Sequence, residues 1–362
     1  MPHISWQRTV ARDGWHNMGT NLCFWRDCYW LVYSRNAAHA SPEGTIVVMR
    51  SLDLKRWHTV TIIDSGLNDR DPKLLATDDT LFVYFFGCRF SAVDGELRQV
   101  GHTYLSSSDN GVSWTDPVQI HKSNYWLWSI RQHQGAFYSA EKGGELLTSS
   151  DCLNWKTVSR IPLAEDDVVD PTDPTFDPRT VIHKPCNSIS ETDFVFRPDG
   201  ELWCVSRTNR DPDDSIFYWS KPPYREWDWV DLKTRIHCPA ICECDGVLYV
   251  AGRRSTDTPW KIQPTPAGNT AIFVLEKGKV EPFLALASEG DAAYPGLIAT
   301  GPRTLVMSYY SQHAYLGGVV PADTNTSAFL PELDDRALRM TGPADIFLAG
   351  IDTQAEGREV RF

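Results

Sequence analysis

Short apolar runs bounded by turn residues recur along the whole chain, and they are rarely separated by segments of helical period. About Trp15 to Asp64 holds Asn21-Leu22-Cys23-Phe24-Trp25, Tyr29-Trp30-Leu31-Val32-Tyr33-Ser34 and Thr45-Ile46-Val47-Val48-Met49-Arg50. The next stretch, about Asn68 to Ile120, holds Pro72-Lys73-Leu74-Leu75, a turn at Asp78-Asp79, and the run Leu81 to Gly87. The plan repeats from about Tyr125 to Ile161, Ser188 to Leu232, Ile236 to Leu286 and Asp291 to Ile351. Turns such as Pro198-Asp199-Gly200 and Asp245-Gly246 stand between the first and second runs of their units. The segment Asp166 to Pro185 breaks the rhythm with Asp170-Pro171, Asp173-Pro174 and Asp177-Pro178, and reads as a long loop over a cleft.

These runs predict strands, and the class is all-β. Six units of roughly 60 residues fit a six-bladed β-propeller, with a five-bladed β-propeller as the alternative. The whole of 1–362 is then a single domain, and Ile4-Ser5-Trp6-Gln7 reads as a strand that completes the last sheet and removes an exposed edge.

The turn Ser107-Ser108-Asp109-Asn110-Gly111-Val112-Ser113-Trp114 combines three roles. An Asp carboxylate can accept N–H groups of its own turn, a Gly permits positive φ, and the Trp buries a large apolar face. Shortened copies lie at Ser51 to Trp57 and Ser150 to Trp155, with a degenerate one at Ser220 to Trp229. The pattern resembles the Asp-box of sialidases and related β-propeller proteins, where it is architectural.

Composition narrows the partners. A net charge of −12 argues against nucleic acid, while leaving room for an anionic small substrate held by a local arginine cluster. Aromatic residues are plentiful, which suits strands and also the platforms of carbohydrate clefts. No apolar run reaches the ~18 residues of a membrane span. The start lacks a basic region followed by an apolar one, and nine Cys show no disulfide-framework spacing. Together these point to a reducing, cytoplasmic setting, with a processed secreted form as the alternative. His237, Cys238, Cys242 and Cys244 follow C-x3-C-x-C rather than paired C-x-x-C, and on a strand Cys242 and Cys244 share a face and read as small apolar residues; no metal or cofactor is expected.

In a propeller the starts of the innermost strands converge at one mouth. That position selects Asn21, Arg70 and Asp71, Trp126 and Trp128, Glu191 and Asp193, His237, and Asp291 with Tyr294. Arg207 and Arg253 close second strands and approach the same mouth. Carboxyl groups usually supply both the proton donor and the nucleophile or base of glycoside hydrolysis; sialidases use a Tyr nucleophile instead.

Two stretches carry a closer resemblance. Glu191-Thr192-Asp193-Phe194-Val195-Phe196-Arg197-Pro198-Asp199-Gly200 is similar to the fourth-blade region of bacterial sialidase-like proteins, and Ala293-Tyr294-Pro295-Gly296-Leu297 to the segment bearing the sialidase nucleophile. The resemblance implies a glycosidase in which Tyr294 is the nucleophile, Glu191 its base and Asp71 the acid/base. It makes Arg253 a carboxylate-binding residue. Arg70, Trp128, Asp193, Arg207 and His237 join Arg253 as candidate substrate-binding residues. The Arg-Ile-Pro motif that sialidases carry near the N-terminus has no counterpart there, and Arg70-Asp71-Pro72 also resembles a motif of five-bladed furanosidases and phosphorylases. Two other activities fit a carbohydrate partner. A polysaccharide lyase would draw its base and charge neutraliser from Tyr294, His237 and Arg253. A non-catalytic propeller would bind glycans without turnover.

Overall fold

The computed structural model describes residues 2–93, 96–120, 126–161, 189–208, 214–254, 270–315 and 342–354; the Asp- and Pro-rich stretch at 166–185 and most of the insertion before Asp345 lie outside them. Among the described residues the regular structure is β-strand, apart from a single 3-10 turn at His313–Tyr315. The all-β expectation therefore holds.

After β1 (His3–Ala11), strands β2 (His16–Trp25), β3 (Cys28–Asn36), β4 (Gly44–Ser51) and β5 (His58–Ile63) form an antiparallel meander. A second meander follows in β6 (Asn68–Ala76), β7 (Leu81–Val93), β8 (Glu96–Ser108) and β9 (Val118–Ile120). One parallel pairing, Gly44 with Asn68, joins the two into an eight-stranded sheet. Gly44 is required at that junction, because a Cβ there would lie 1.8 Å from the Asn36 side-chain oxygen.

Three four-stranded sheets come next. They are β10 (Leu127–His133) to β11 (Ala136–Glu141), β12 (Glu145–Ser149) and β13 (Lys156–Arg160); β14 (Ile189–Phe196) to β15 (Leu202–Thr208), β16 (Ile216–Ser220) and β17 (Asp228–Asp231); and β18 (His237–Cys244) to β19 (Val247–Arg253), β20 (Thr270–Glu276) and β21 (Lys279–Leu286). The last sheet contains β22 (Ala292–Gly301), β23 (Thr304–Ser311) and β24 (Asp345–Asp352), with β1 as its outer strand, antiparallel to β24 from His3–Asp352 to Ala11–Ile346.

The apolar core is divided among the faces between successive meanders. Trp30, Val32 and Val48 of the first meet Leu81, Val83 and Phe85 of the second. Val205 and Phe217 meet Ile241 and Val250 further along. Met18, Leu22 and Leu31 of the first meander pack on Val306, Ile346 and Leu348 of the last sheet. Each first strand also packs against the next: β2 on β6, β6 on β10, β10 on β14, β14 on β18, β18 on β22, and β22 on β2. Alternating strands bury apolar side chains on both faces here, which explains why the runs in the sequence are so continuously hydrophobic.

The Trp turns share one register, and it differs from the expected one. Asp53 Oδ1 accepts the N–H groups of Lys55 and Arg56, and Asp151 Oδ1 those of Leu153 and Asn154. In the third turn the same place belongs to Asn110, whose Oδ1 accepts Val112 and Ser113 N–H at 2.8 and 2.9 Å; Asp109 does not fill that role. The aligned residues are Ser51, Ser108 and Ser149, each hydrogen-bonded to the Asp or Asn two positions on. The third position after each Ser takes positive φ, in Leu54, Gly111 and Cys152. Trp57 and Trp155 close their turns by donating to the carbonyls of Leu54 and Cys152.

Candidate active site

All six first strands break their ladder near the same level. The register shifts lie at Met18/Thr20, Arg70/Lys73, Leu127/Ser129, Ile189/Thr192, His237/Ala240 and Ala293/Gly296. Bulges re-aim side chains and bend strands, and they concentrate beside functional sites. Four non-glycine residues in these bulges have left-handed backbones: Asp71 (φ 51°), Cys238 (50°), Ala293 (85°) and Tyr294 (44°). Such conformations cost on the order of 1–3 kcal/mol each and persist only where surrounding contacts over-determine them.

Those contacts are explicit. Tyr294 Oη donates to Glu191 Oε1 at 2.6 Å, from β22 to β14. Arg207 Nη1, on β15, reaches the same oxygen at 2.8 Å. The backbone N–H of Cys238 donates to Glu191 Oε2 at 2.8 Å, and the Cys238 thiol accepts the backbone N–H of Tyr294 at 3.2 Å. Cys238 thus links the Glu191 carboxylate to the Tyr294 phenol, a part that the sequence analysis did not give it. A signal was present: Asp71-Pro72, Cys238-Pro239 and Tyr294-Pro295 each put a residue without an N–H into a first strand, just after the re-aimed side chain.

Charge at the pair is one-sided. Burial alone would raise the Glu191 carboxyl, but Arg207, Lys142 and the Tyr294 hydroxyl outweigh it and hold its pKa down to about 2. Burial pushes the Tyr294 phenol well above its usual range, and the negative charges of Glu191 and Asp71 push it further. Glu191 is therefore a carboxylate and Tyr294 a neutral phenol, joined by a charge-assisted bond. Glu191 is fully buried, while Tyr294 is partly exposed.

Asp71 sits on β6 in the equivalent bulge. Its N–H donates to Ser34 Oγ at 2.9 Å, and Arg70 Nε lies 3.3 Å from its Oδ2. Gly19 makes room for it: a Cβ there would lie 2.7 Å from Asp71 Oδ1. Arg253 donates to the Ala292 carbonyl and reaches Asp291 Oδ1 at 3.2 Å, with its guanidinium 5.4 Å from the Tyr294 ring centre. His237 is buried, accepts from Arg235 Nε at Nδ1, and is driven down to about 3 by burial and by Arg207 and Arg235.

Three candidates stand differently from the rest. Asp193 holds the fold together: its carboxylate accepts Arg131 Nη2 at 2.9 Å, Ile241 N–H at 2.6 Å and Phe194 N–H at 2.9 Å. Trp128 is completely buried, edge-on to Tyr294, with Lys73 Nζ 4.5 Å above its ring. Asn21 lies within β2 rather than at its start, where its Oδ1 accepts Leu74 N–H at 3.0 Å.

Sequence reasoning placed Asp291 at the mouth without its partners. Its Oδ2 meets His39 Nδ1 at 2.6 Å and His16 Nε2 at 3.1 Å, and its Oδ1 accepts Tyr310 Oη at 2.7 Å. Among the described residues His16, His39 and Asp291 form the one group close enough to hold a metal ion. Arg253 on Asp291 and Arg70 Nη2 on His39 Nε2 at 3.3 Å supply positive charge there already, so the donor set reads as a hydrogen-bond network.

No protein-family profile matches the sequence, and no curated protein does. Solved structures match over nearly the whole chain. A Dyadobacter fermentans protein of unknown function superposes with a TM-score of 0.71 at 15% identity, covering 98% of this chain and 99% of its own. Trypanosoma rangeli sialidase in complex with sialic acid gives 0.55 at 11% identity over 94% of this chain and 55% of its own. Bombyx mori GH32 β-fructofuranosidase gives 0.50 at 11% identity over 97% and 92%. The fold is that of the β-propeller glycoside hydrolases. At such identities the likeness is one of architecture, and the chain spans about half the length of the sialidase.

Proposed function

We propose that this chain is a six-bladed propeller, closed by β1, that hydrolyses a glycosidic bond with Tyr294 as nucleophile. The packing of β22 on β2 and the pairing of β1 with β24 support the ring. The 2.6 Å bond from Tyr294 Oη to Glu191 Oε1 carries the functional reading. A phenol is a weak nucleophile until a base takes its proton. Glu191, an ionised carboxylate in a buried setting, takes it as the Tyr294 oxygen attacks the anomeric carbon. Asp71 protonates the departing glycosidic oxygen, and then deprotonates the water that releases the sugar from Tyr294. Two displacements at one carbon return the starting configuration.

Arg70, Arg207 and Arg253 are each matched by a carboxylate, Asp71, Glu191 and Asp291, and Lys142 acting on Glu191 adds a positive charge beyond these pairs, which favours a sugar bearing an anionic group. The test is turnover of a panel of aryl glycosides, neutral and anionic, by wild type and by Tyr294→Phe, Glu191→Gln and Asp71→Asn. Each variant should lose on the order of 10²-fold or more in kcat with a smaller change in KM. Wild-type turnover in all three overturns the assignment. An unsaturated product absorbing in the near ultraviolet replaces hydrolysis with elimination.

A further inference from the structure

A cavity of about 410 Å³ lies among the first strands, lined by Asn21, Lys73, Trp128, Arg131, Asp193 and Pro295 among others. Its size falls in the range of ligand pockets. It is distinct from the Tyr294–Glu191 pair, neither of which lines it, although the Trp128 indole touches Tyr294 and borders the cavity.

The wall carries donors without acceptors. Lys73 is only 8% exposed, and among the described residues its Nζ meets the Trp128 ring but makes no hydrogen bond or ion pair. Trp128 is 0% exposed, and among the described residues neither its Nε1 nor the buried Nε of Arg131 has a hydrogen-bond partner. Asp193 is the one carboxylate on the wall, and its oxygens are already taken by Arg131, Ile241 and Phe194. Lys73 and Arg131 against Asp193 leave the lining with one excess positive charge. Burial draws the Lys73 ammonium below its usual range, and the more distant carboxylates of Asp71, Asp193 and Glu191 only partly oppose this. A buried cation and buried N–H groups without partners are strongly disfavoured, and both needs are met by one kind of guest.

We infer that this cavity is an anion-binding site, in which a small oxyanion, a carboxylate or phosphate group, seats against Lys73 and accepts from Trp128 Nε1 and Arg131 Nε. Arg207 and Arg253, which flank Tyr294, take no part in it. Occupancy neutralises a charge packed against the indole that in turn supports the Tyr294 ring.

The test titrates the whole chain, prepared in a buffer of bulky zwitterions, with inorganic phosphate and with acetate, by calorimetry. One equivalent of at least one of them binds wild type. Lys73→Met weakens binding by about tenfold or more, Lys73→Arg retains it, and Tyr294→Phe leaves it unchanged. Without added anion, Lys73→Met should melt no lower than wild type, because it removes an unpaired charge while keeping the apolar stem; Lys73→Gln serves if the Met variant does not fold. Absence of stoichiometric binding up to about 10 mM, a range in which even weak sites register, overturns the inference. So does unchanged affinity in Lys73→Met or Lys73→Gln. None of these readings depends on glycosidase activity, so this proposal and the catalytic one fail separately.

Discussion

The backbone N–H of Tyr294 ends on the thiol of Cys238, 3.2 Å away on the neighbouring first strand. With the Cys238 N–H bonded to Glu191, one residue fixes the separation of phenol and carboxylate from both sides. Cys238→Ala removes the acceptor and leaves the Tyr294 N–H, in its left-handed bulge, without a partner. The expected result is a fall in kcat of roughly tenfold with KM little changed, since a small misplacement of a reacting group is costly. Cys238→Ser, which restores an acceptor, should recover most of it. A crystal structure of the Ala variant with the Tyr294–Glu191 bond unaltered would count against this role, whatever the activity.

Gly19 faces Asp71 across two bulged strands. A methyl at position 19 would meet Asp71 Oδ1 at 2.7 Å and Asp71 Cα at 3.0 Å, on a backbone with φ of 57°. Gly19→Ala should therefore destabilise the protein by more than about 1 kcal/mol and lower turnover beyond what the stability loss explains. Thermal melting alongside kcat at a temperature where both proteins are folded separates the two effects.

Arg207 should set the acid side of the pH profile. Glu191 is held near 2, below the ~4.3 of an unfolded glutamate. A depressed carboxyl stabilises the fold above the unfolded pKa, and this contribution disappears as pH falls through the folded value, so the loss is confined to strongly acid solution. In Arg207→Gln the opposing burial is less well compensated, and the Glu191 pKa moves up. The acidic limb of kcat/KM should shift to higher pH, and acid unfolding should begin at higher pH. Superimposable limbs for variant and wild type would rule this out.

The Trp turns offer a check on register. Asn110→Ala removes the acceptor of two backbone N–H groups and should cost about 1 kcal/mol. Asp109→Ala, one residue earlier and exposed, should leave the denaturation midpoint within error. The reverse pattern would restore Asp109 to the role first expected of it.

Much of the architecture is legible in the runs themselves. The strands Leu202–Thr208 and Val247–Arg253 open on unbroken apolar runs, Leu202 to Val205 and Val247 to Ala251, because meanders cover both faces, and each follows an Asp-Gly turn that marks its start. That Glu191 and Tyr294 come together was legible because the starts of first strands share one level. Cys238 was not, because a thiol on a strand looks apolar until a bulge turns its N–H and sulfur toward two other strands. His16 and His39 were equally hidden: they meet Asp291 across 275 and 252 residues, and no local pattern announces a partner so far away. Asp193 looked available for a ligand because a carboxylate's backbone donors cannot be seen in sequence.

The pairing of β1 with β24 has a consequence for how the protein is made. Ser5 and Gly350 bond across 345 positions, so β1 is synthesised well before β24 exists to cover its hydrogen-bonding edge. Until then it is a sticky ribbon, open to mispairing with other nascent copies. Overexpression faster than chaperones can shield that ribbon should send the product into inclusion bodies.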